Sequence, residues 1–189
     1  MMPKGSRPVF VAVTGAQGVG KSTFCRRLVD ELRDKHLINL SLQSGLGDSV
    51  RAKGVPVGAS STSETIFAIF HEHLRRERLA DAQLVVLDRC IVDALAYTRV
   101  LNLTTAEQLL ALEEIACLAA TRLDLVIELQ ISAAFANTTA THETPEMRAE
   151  VALKIPAIIA ELGLRSIVLD ASQPTAIEAA VAEITKRVR

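Results

Sequence analysis

The sequence predicts an α/β fold in which helices cover both faces of a parallel β-sheet. Short apolar runs alternate with longer helical patterns, as expected when each strand is followed by a crossover helix. The apolar runs are nearly continuous in Val, Leu and Ile, which is typical of strands buried on both faces. With 189 residues, the chain is long enough for one domain with a substantial core. We therefore expect a single domain over 1–189, with residues 1–7 disordered.

The elements follow in order from these patterns. Five strands are predicted near Val9–Thr14, Leu37–Leu42, Leu84–Asp88, Leu125–Leu129 and Ser166–Asp170. Six helices are predicted. The first covers Lys21–Asp34, the second begins at a capping box of Ser61 and Glu64, and the third covers Val92–Leu101. The fourth runs from a capping box of Thr104 and Glu107 to about Ala120, the fifth begins at Thr144-Pro145, and the sixth covers Pro174–Arg187. Pro156 is expected to kink or interrupt the fifth of these helices.

Two segments lack helical or strand periodicity, Gln43–Ser60 and Ser132–Glu143. Each follows a predicted strand, and in an open parallel sheet ligands bind beyond the carboxyl ends of the strands. We interpret the first segment as an acceptor-binding loop and the second, residues 132–143, as a mobile lid. The alternative is that both are plain surface connections.

The connection between the first strand and the first helix has the pattern Gly-x-x-x-x-Gly-Lys-Ser. Its residues are Gly15, Ala16, Gln17, Gly18, Val19, Gly20, Lys21, Ser22 and Thr23. Glycines allow successive backbone N–H groups to curl around phosphate oxygens, and the following helix directs further N–H donors at the same anion. Lys21 is expected to reach the β- and γ-phosphates, and Ser22 to bind Mg²⁺. The pattern predicts a site for a nucleoside triphosphate.

The third predicted strand ends in a carboxylate followed by an arginine. Asp88 occupies the position that holds Mg²⁺ in phosphate-loop enzymes, but Arg89 follows it where ATPase motors commonly have a water-activating glutamate. The chain also contains no Asn-Lys-x-Asp motif for guanine. Arg89 suits transfer to an acceptor, because its planar group can bridge the acceptor and the transferred phosphoryl. The alternative is a structural ion pair.

These motifs together resemble those of phosphate-loop kinases. The glycine pattern is similar to that of nucleoside and nucleoside-monophosphate kinases. Leu87-Asp88-Arg89-Cys90, followed by Asp93-Ala94-Leu95-Ala96-Tyr97, resembles thymidylate-kinase-like proteins. It resembles still more the kinase-like AAA-type ATPase group that includes ribosylnicotinamide kinase domains. Leu169-Asp170-Ala171-Ser172 is similar to the adenine-contacting turn of that family.

The resemblance implies a three-layer phosphate-loop NTPase fold with strand order 2-3-1-4-5. It implies ATP on the phosphate loop, Mg²⁺ between Ser22 and Asp88, and adenine beside Ala171 and Ser172. It also implies a lid that closes from residues 132–143. Kinase lids normally offer several arginines, whereas Arg148 is the only arginine in this region.

The residues leave the nature of the acceptor open. A hydroxyl acceptor needs a carboxylate base, for which Asp48 is the candidate, whereas a phosphorylated acceptor needs a cationic clamp, for which Arg51 is the candidate. Phe70 is either a core residue or a wall of the acceptor site, and Tyr97 either lines that site or lies on the surface. Arg148 is a further candidate for binding the substrate.

The alternatives for the helix after Ser61 concern its histidines and arginines. His71 and His73 are two residues apart and point to different sides of a helix, so they do not form a metal pair. Arg75, Arg76 and Arg78 are either a solvated face or a phosphate site.

The sequence thus predicts Mg²⁺-assisted transfer of phosphoryl from ATP to a small nucleoside- or nucleotide-like acceptor, with Lys21, Asp88 and Arg89 catalytic. The alternative is an ATP-binding regulatory or adaptor protein, which the arginine-poor lid favours. The net charge of −1, the single Tyr and the absence of Trp argue against a nucleic-acid partner. No apolar run reaches the roughly 20 residues of a membrane span. The three cysteines predict reduced, buried thiols in a cytoplasmic protein, and a homodimer is left open.

Overall fold

The computed structural model describes residues 7–36, 39–58, 60–130 and 143–188. The elements within these ranges are β1 (Val9–Thr14), α1 (Lys21–His36), β2 (Leu40–Gln43), α2 (Leu46–Ala52), α3 (Ser63–Arg78), β3 (Leu84–Asp88), α4 (Ile91–Leu101), α5 (Ala106–Ala120), β4 (Leu125–Leu129), α6 (Pro145–Glu161), β5 (Ser166–Leu169) and α7 (Ala176–Thr185). The five strands form one parallel sheet in the order β2-β3-β1-β4-β5. The predicted fold class and strand order are confirmed.

The register of the central strands brings three strand ends together. Val13 of β1 pairs with Asp88 of β3, and Thr14 pairs with Glu128 of β4. The carboxyl ends of β1, β3 and β4 therefore lie side by side, and the segments that follow them start from the same edge of the sheet. This is the edge at which open parallel sheets bind ligands.

Both faces of β1 are buried, which explains its continuous apolar sequence. Phe10 and Ala12 belong to one core cluster, which also includes residues of α3, α4, α5 and α6. Val11 and Val13 belong to a second cluster on the opposite face, together with residues of α1 and α7. The fold is thus a sheet between two layers of helices, as the sequence predicts.

Helix α3 begins one residue later than the predicted capping box. Thr62, not Ser61, is the N-cap, and its backbone N–H donates to the Thr65 hydroxyl at 2.9 Å. The Ser61 hydroxyl instead accepts the backbone N–H of Gly58 at 3.0 Å. The predicted pairing of Ser61 with Glu64 is wrong because two adjacent hydroxyl residues fit the pattern, and the turn before the helix uses the first of them.

Helix α5 shows the same one-residue displacement. Thr105 is the N-cap, and its backbone N–H donates to Gln108 at 3.0 Å. The predicted box of Thr104 and Glu107 is therefore wrong. Either threonine can cap a helix, and the register follows from the burial of Leu112 and Ala116 on the face that packs into the core.

Two further expectations are wrong. The segment Gln43–Ser60 contains α2, a helix of seven residues that begins after Gly45 in the left-handed conformation. For Pro156, the expected interruption is the part that is wrong, because α6 continues through this residue to Glu161. The proline side chain is exposed, while Ile155 and Ile158 on either side are buried and hold both turns against the core.

The remaining differences concern element ends and cysteines. Helix α1 extends two residues beyond its predicted end, β2 and α7 are shorter than predicted, and residues 37–38 lie outside the described part. Residues 1–6 and 131–142, which include most of the predicted lid, also lie outside it. Cys25 and Cys90 are buried as expected, whereas Cys117 is exposed.

Candidate active site

The phosphate loop joins β1 to α1, and its backbone explains its glycines. Gly15, Gly18 and Gly20 have φ values of 142°, 81° and 89°, which L side chains rarely adopt. Gly15 also lies too close to β4 for a side chain, because a Cβ there would stand 2.5 Å from the carbonyl oxygen of Leu129. The loop is therefore packed directly on the end of β4, and α1 begins at Lys21 immediately after it. This is the geometry of an anion-binding helix N-terminus.

Lys21 lies inside the loop and is 5% exposed. Its ammonium group donates to the carbonyl oxygen of Ala16 at 2.7 Å and to that of Gly15. Burial, and then the neighbouring guanidinium of Arg89, lower the pKa of Lys21 to about 7, while the carboxylates of Asp93 and Asp88 act to raise it. The amine thus lies inside the loop, where a bound anion would raise its pKa and so favour the charged form.

The backbone of Arg89 has an unusual conformation at the end of β3. Arg89 has a φ of 76°, and its N–H donates to the carbonyl oxygen of Val13 at 3.0 Å. A positive φ in a long side chain costs about 1–3 kcal/mol and persists only where the surroundings impose it. Here the bond to β1 imposes it, and the turn leads directly from Asp88 into α4.

The side chain of Arg89 contacts α4. Its Nη1 lies 3.8 Å from Oδ1 of Asp93, and its guanidinium carbon lies 5.8 Å from the centre of the Tyr97 ring. Burial alone would lower the pKa of Arg89, but Asp93 and Tyr97 raise it above its ordinary value. The predicted ion pair is therefore present. It does not exclude a functional role, because Arg89 also lines a cavity.

That cavity has a volume of about 390 Å³ and lies between the phosphate loop, α2, α3 and α4. Its polar lining includes Gln17 and a contiguous group formed by Arg89, Asp93, Tyr97 and Glu143, which we call the polar end. The wall is mainly apolar and includes Ile66, Ile69, Phe70, Leu101 and Met147. The volume is within the range of small-molecule sites, about 300–1,000 Å³.

The predicted acceptor residues are only partly brought together. Arg51 and Phe70 line the cavity, and Phe70 is also 2% exposed in the core, so both interpretations of it hold. The Asp48 side chain is 83% exposed and pairs with Arg51 at 2.6 Å. Arg148 is buried on α6, where its Nε donates to the carbonyl oxygen of Gln17 at 2.9 Å. Arg148 thus contacts the phosphate loop itself.

Three site residues carry more weight in the structure than in the sequence analysis. Tyr97 lines the cavity and donates its hydroxyl to Glu143 at 2.9 Å. Asp93 lines the polar end, and its position four residues after Arg89 is a usable sequence signal for an ion pair. His73 is 5% exposed and lines the wall, and burial, followed by the charges of Arg76 and Arg89, lowers its pKa to about 3. Its imidazole is therefore neutral.

Two of the three arginines at the end of α3, Arg75 and Arg76, pair with a buried carboxylate that the sequence analysis did not single out. Glu72 has no exposed side-chain surface, and Arg75, Arg76 and Lys53 lie 2.6–2.9 Å from its oxygens. Ser49 of α2 donates to the same carboxylate at 3.0 Å. Hydrogen bonding by Arg75 comes first among the causes that hold the pKa of Glu72 well below its usual range. This cluster, which we call the Glu72 cluster, fastens α2 to α3.

The predicted adenine turn follows β5. The backbone N–H and the hydroxyl of Ser172 donate to Oδ1 of Asp170 at 2.9 Å and 2.7 Å. Ala171 packs partly buried against the core cluster of α1 and α7. The turn is held by its own aspartate, at the same edge of the sheet as the phosphate loop.

Comparison with known proteins places this site in a family. A family model described as "AAA domain" matches residues 10–175. The chain belongs to this AAA-domain family. No curated protein sequence matches it.

Solved structures with a similar fold include two complexes of a NadR protein and a deoxyadenosine kinase. A NadR protein in complex with NR is 19% identical, with a TM-score of 0.74 over 96% of this chain and 52% of that chain. A NadR protein with NAD and AMP-PNP is 18% identical, with a TM-score of 0.70 over 96% of this chain and 49% of that chain. The AAA-domain chain thus spans about half the length of these proteins.

A deoxyadenosine kinase from M. mycoides, with dCMP and dCDP bound, is 14% identical, with a TM-score of 0.62 over 94% of this chain and 99% of that chain. At these identities the similarity is one of fold. The predicted resemblance to phosphate-loop kinases is confirmed at that level.

The residues at the loop fit a magnesium ion. Ser22 is the second residue of α1 and is exposed, and Asp88 ends β3 beside β1. A hydroxyl and one carboxylate are hard oxygen ligands of the kind Mg²⁺ takes when phosphates and water supply the rest. Within the described residues no group of three or more His, Cys, Asp or Glu side chains is placed to hold a metal. This AAA-domain chain would thus hold Mg²⁺ together with a nucleotide.

No helix in the described residues has the length and apolarity of a membrane span.

Proposed function

We propose that this protein is an ATP-dependent kinase that transfers the γ-phosphoryl group, with Mg²⁺, to a small nucleoside- or nucleotide-like acceptor. The observation that carries the proposal is one continuous site, in which the phosphate loop opens beside Arg89 onto the cavity. A nucleotide on the loop and an acceptor in the cavity would meet at Arg89. Transfer needs the two reactants to be held in line, and this arrangement provides the two places.

The protein groups have separate tasks in this proposal. The loop N–H groups and Lys21 bind the β- and γ-phosphates, and Ala171 and Ser172 lie beside the adenine. Lys21 and Arg89 neutralise the charge that spreads over the transferred phosphoryl oxygens. Mg²⁺, held by Ser22 and Asp88, would neutralise the phosphate oxygens of ATP. The Tyr97 ring and its bond to Glu143 keep the arginine at the mouth of the cavity.

The test is Lys21→Ala with Lys154→Ala, an exposed lysine of α6, as the matched control. Transfer should fall at least about 100-fold in Lys21→Ala, because a cation at the developing charge is lost. The control should keep full activity, and both variants should keep the native circular dichroism spectrum. Products are detected by mass spectrometry after incubation with ATP, Mg²⁺ and a panel of nucleosides, nucleotides and vitamin precursors. Undiminished transfer by folded Lys21→Ala would refute the assignment.

A second candidate is an ATP-binding regulatory or adaptor protein without productive turnover. One sequence observation favours it, since residues 131–142 contain no Lys or Arg, and kinase lids use such residues on the transferred phosphoryl. The same panel separates the two functions. A rise in melting temperature with ATP and Mg²⁺, but no phosphorylated product from any panel member, would favour the regulator.

A further inference from the structure

The charges around the cavity bear on which kind of acceptor it takes, an inference that rests on the proposed kinase function. Among the described residues, the cationic side chains that line the cavity are Arg51 and Arg89, and the anionic ones are Asp93 and Glu143. His73, on the wall, is neutral. The lining therefore carries no surplus positive charge for the dianion of a phosphorylated acceptor.

Both lining cations already face a carboxylate. Arg51 lies 2.6 Å from Asp48, and Arg89 lies 3.8 Å from Asp93. Arg75 and Arg76 of α3, together with Lys53, bond to Glu72. The segment 131–142 adds neither Lys nor Arg by sequence. A phosphate in this cavity would have to displace existing ion pairs before it gained its own.

The two carboxylate oxygens of Asp93 have different surroundings. Its Oδ2 accepts the backbone N–H of Cys90 at 2.9 Å, which fixes the side chain at the start of α4. Its Oδ1 is buried and lies 3.8 Å from Nη1 of Arg89, and it accepts no hydrogen bond from the described residues. A buried carboxylate oxygen without a donor is costly, so such an oxygen at the polar end of a cavity indicates a ligand that brings a donor.

The position of Asp93 suits the chemistry of transfer. The residue is 2% exposed and lines the polar end, and its carboxylate lies 3.8 Å from Arg89, whose backbone N–H bonds to the strand that leads into the phosphate loop. A donor bound to Oδ1 would thus lie between the loop and the apolar wall. Asp48, the base expected from the sequence, is exposed and pairs with Arg51.

We propose that the acceptor presents a hydroxyl group, not a phosphate, and that this hydroxyl donates its hydrogen bond to Oδ1 of Asp93. In the transfer step the hydroxyl oxygen forms a bond to the γ-phosphorus, and the bond from that phosphorus to the bridging oxygen breaks. The electron pair of the broken bond leaves on ADP, and the hydroxyl proton passes to Asp93. The acceptor class is a neutral nucleoside-like alcohol whose ring lies on the apolar wall beside Phe70.

The experiment compares adenosine, guanosine, cytidine, uridine, their 2′-deoxy forms and the matching 5′-monophosphates. Each compound is tested for phosphorylation by ATP and Mg²⁺ with mass spectrometry, and for binding by calorimetry without ATP. Asp93→Asn tests the proposed base and keeps an oxygen for the Cys90 N–H. Asp48→Asn tests the base expected from the sequence, and Asp81→Asn, at an exposed position before β3, is the control. We expect at least one nucleoside, and none of the monophosphates, to bind and react. Asp93→Asn should lower kcat by a factor of about 100 to 10,000 with ATP binding unchanged.

The binding arm separates this inference from the proposed kinase function. A nucleoside that binds to the parent, binds more weakly to Asp93→Asn and is never phosphorylated would support the acceptor class. The same result would overturn the kinase function. If monophosphates bind more tightly or react faster than their nucleosides, the inference is wrong while the kinase function stands. The inference is also overturned if Asp48→Asn loses phosphoryl transfer while Asp93→Asn keeps full activity. It is overturned as well if neither nucleosides nor monophosphates bind.

Discussion

Glu77 provides a quantitative test of the electrostatics behind the active site. It lies near the end of α3 and is 2% exposed, and neither of its carboxylate oxygens accepts a hydrogen bond from the described residues. Arg122 approaches Oε2 at 3.8 Å, while its Nη2 donates to the backbone oxygen of Glu77 and its guanidinium lies over the Phe10 ring. Burial raises the pKa of Glu77 to about 7, although Arg122 acts to lower it.

The sign of the effect on stability follows from linkage. The folded protein holds the Glu77 proton more tightly than the unfolded chain, so the free energy of unfolding falls as pH rises from about 4.5 to about 7. A pKa raised from 4.5 to about 7, at about 1.4 kcal/mol for each unit, amounts to about 3.5 kcal/mol. The ionised carboxylate therefore destabilises the fold above pH 7 and has no such effect at pH 4.

Replacement of Glu77 by Gln removes the charge and keeps the shape. Glu77→Gln should be more stable than the parent at pH 8 by up to about 3.5 kcal/mol and equally stable at pH 4. Urea denaturation followed by circular dichroism at pH 4, 6 and 8 measures this, with Glu114→Gln on the exposed face of α5 as control. A stability difference that is the same at all three pH values, or a variant less stable at pH 8, would refute the reasoning.

The other two predictions concern the Glu72 cluster and the phosphate loop. Glu72→Gln should lower the free energy of unfolding at pH 7 by about 3 kcal/mol, the low end for a buried carboxylate, because Arg75 and Lys53 are 43% and 50% exposed. Because the pKa of Glu72 is depressed in the folded protein, the stability difference between parent and variant is complete above pH 4.5 and shrinks as pH falls below it. Urea denaturation at pH 7 and pH 3.5 measures this difference. A difference that is undiminished at pH 3.5 would contradict the ion-pair account. Gly15→Ala should lose the rise in melting temperature caused by ATP and Mg²⁺, because its Cβ meets Leu129. Gly163→Ala, which has a φ of 62° but open space, should cost about 1 kcal/mol and keep the rise, and equal behaviour of the two variants would contradict the packing argument.

The parts of the site that the sequence predicts are those encoded by neighbouring residues. The phosphate loop and the Asp88-Arg89 pair each lie within one short segment, and the strand or helix beside each of them is recognisable from its apolar pattern. Local backbone requirements, such as the left-handed glycines of the loop, leave a direct trace in residue type. The strand order came from the family resemblance, and the register of β1 against β3 and β4 then brings the two motifs to one edge.

The parts that it does not predict depend on contacts between distant elements. Arg75 and Arg76 pair with Glu72 at ordinary helical spacings, but only the packing of α2 on α3 brings Lys53 to the same carboxylate and buries it. Helix α2 itself has seven residues, too few for a periodic signal. Asp48 and Asp93 are equivalent as carboxylates in the sequence, but folding leaves one in solvent and places the other at the cavity.

Arg89 depends on both the local sequence and contacts between distant elements. Its identity is read from a local motif, but its role depends on a backbone conformation that only the sheet can impose, through the bond from its N–H to Val13 of β1. Because β1 also leads into the phosphate loop, the same strand fixes both the site for phosphates and the direction of the arginine. The strain of a positive φ at this residue is thus offset by the central strand pairing, which is fully buried. A site built in this way keeps its phosphoryl end rigid, while the acceptor end, formed by α2, α3 and α4, is free to differ from that of other proteins with the same fold.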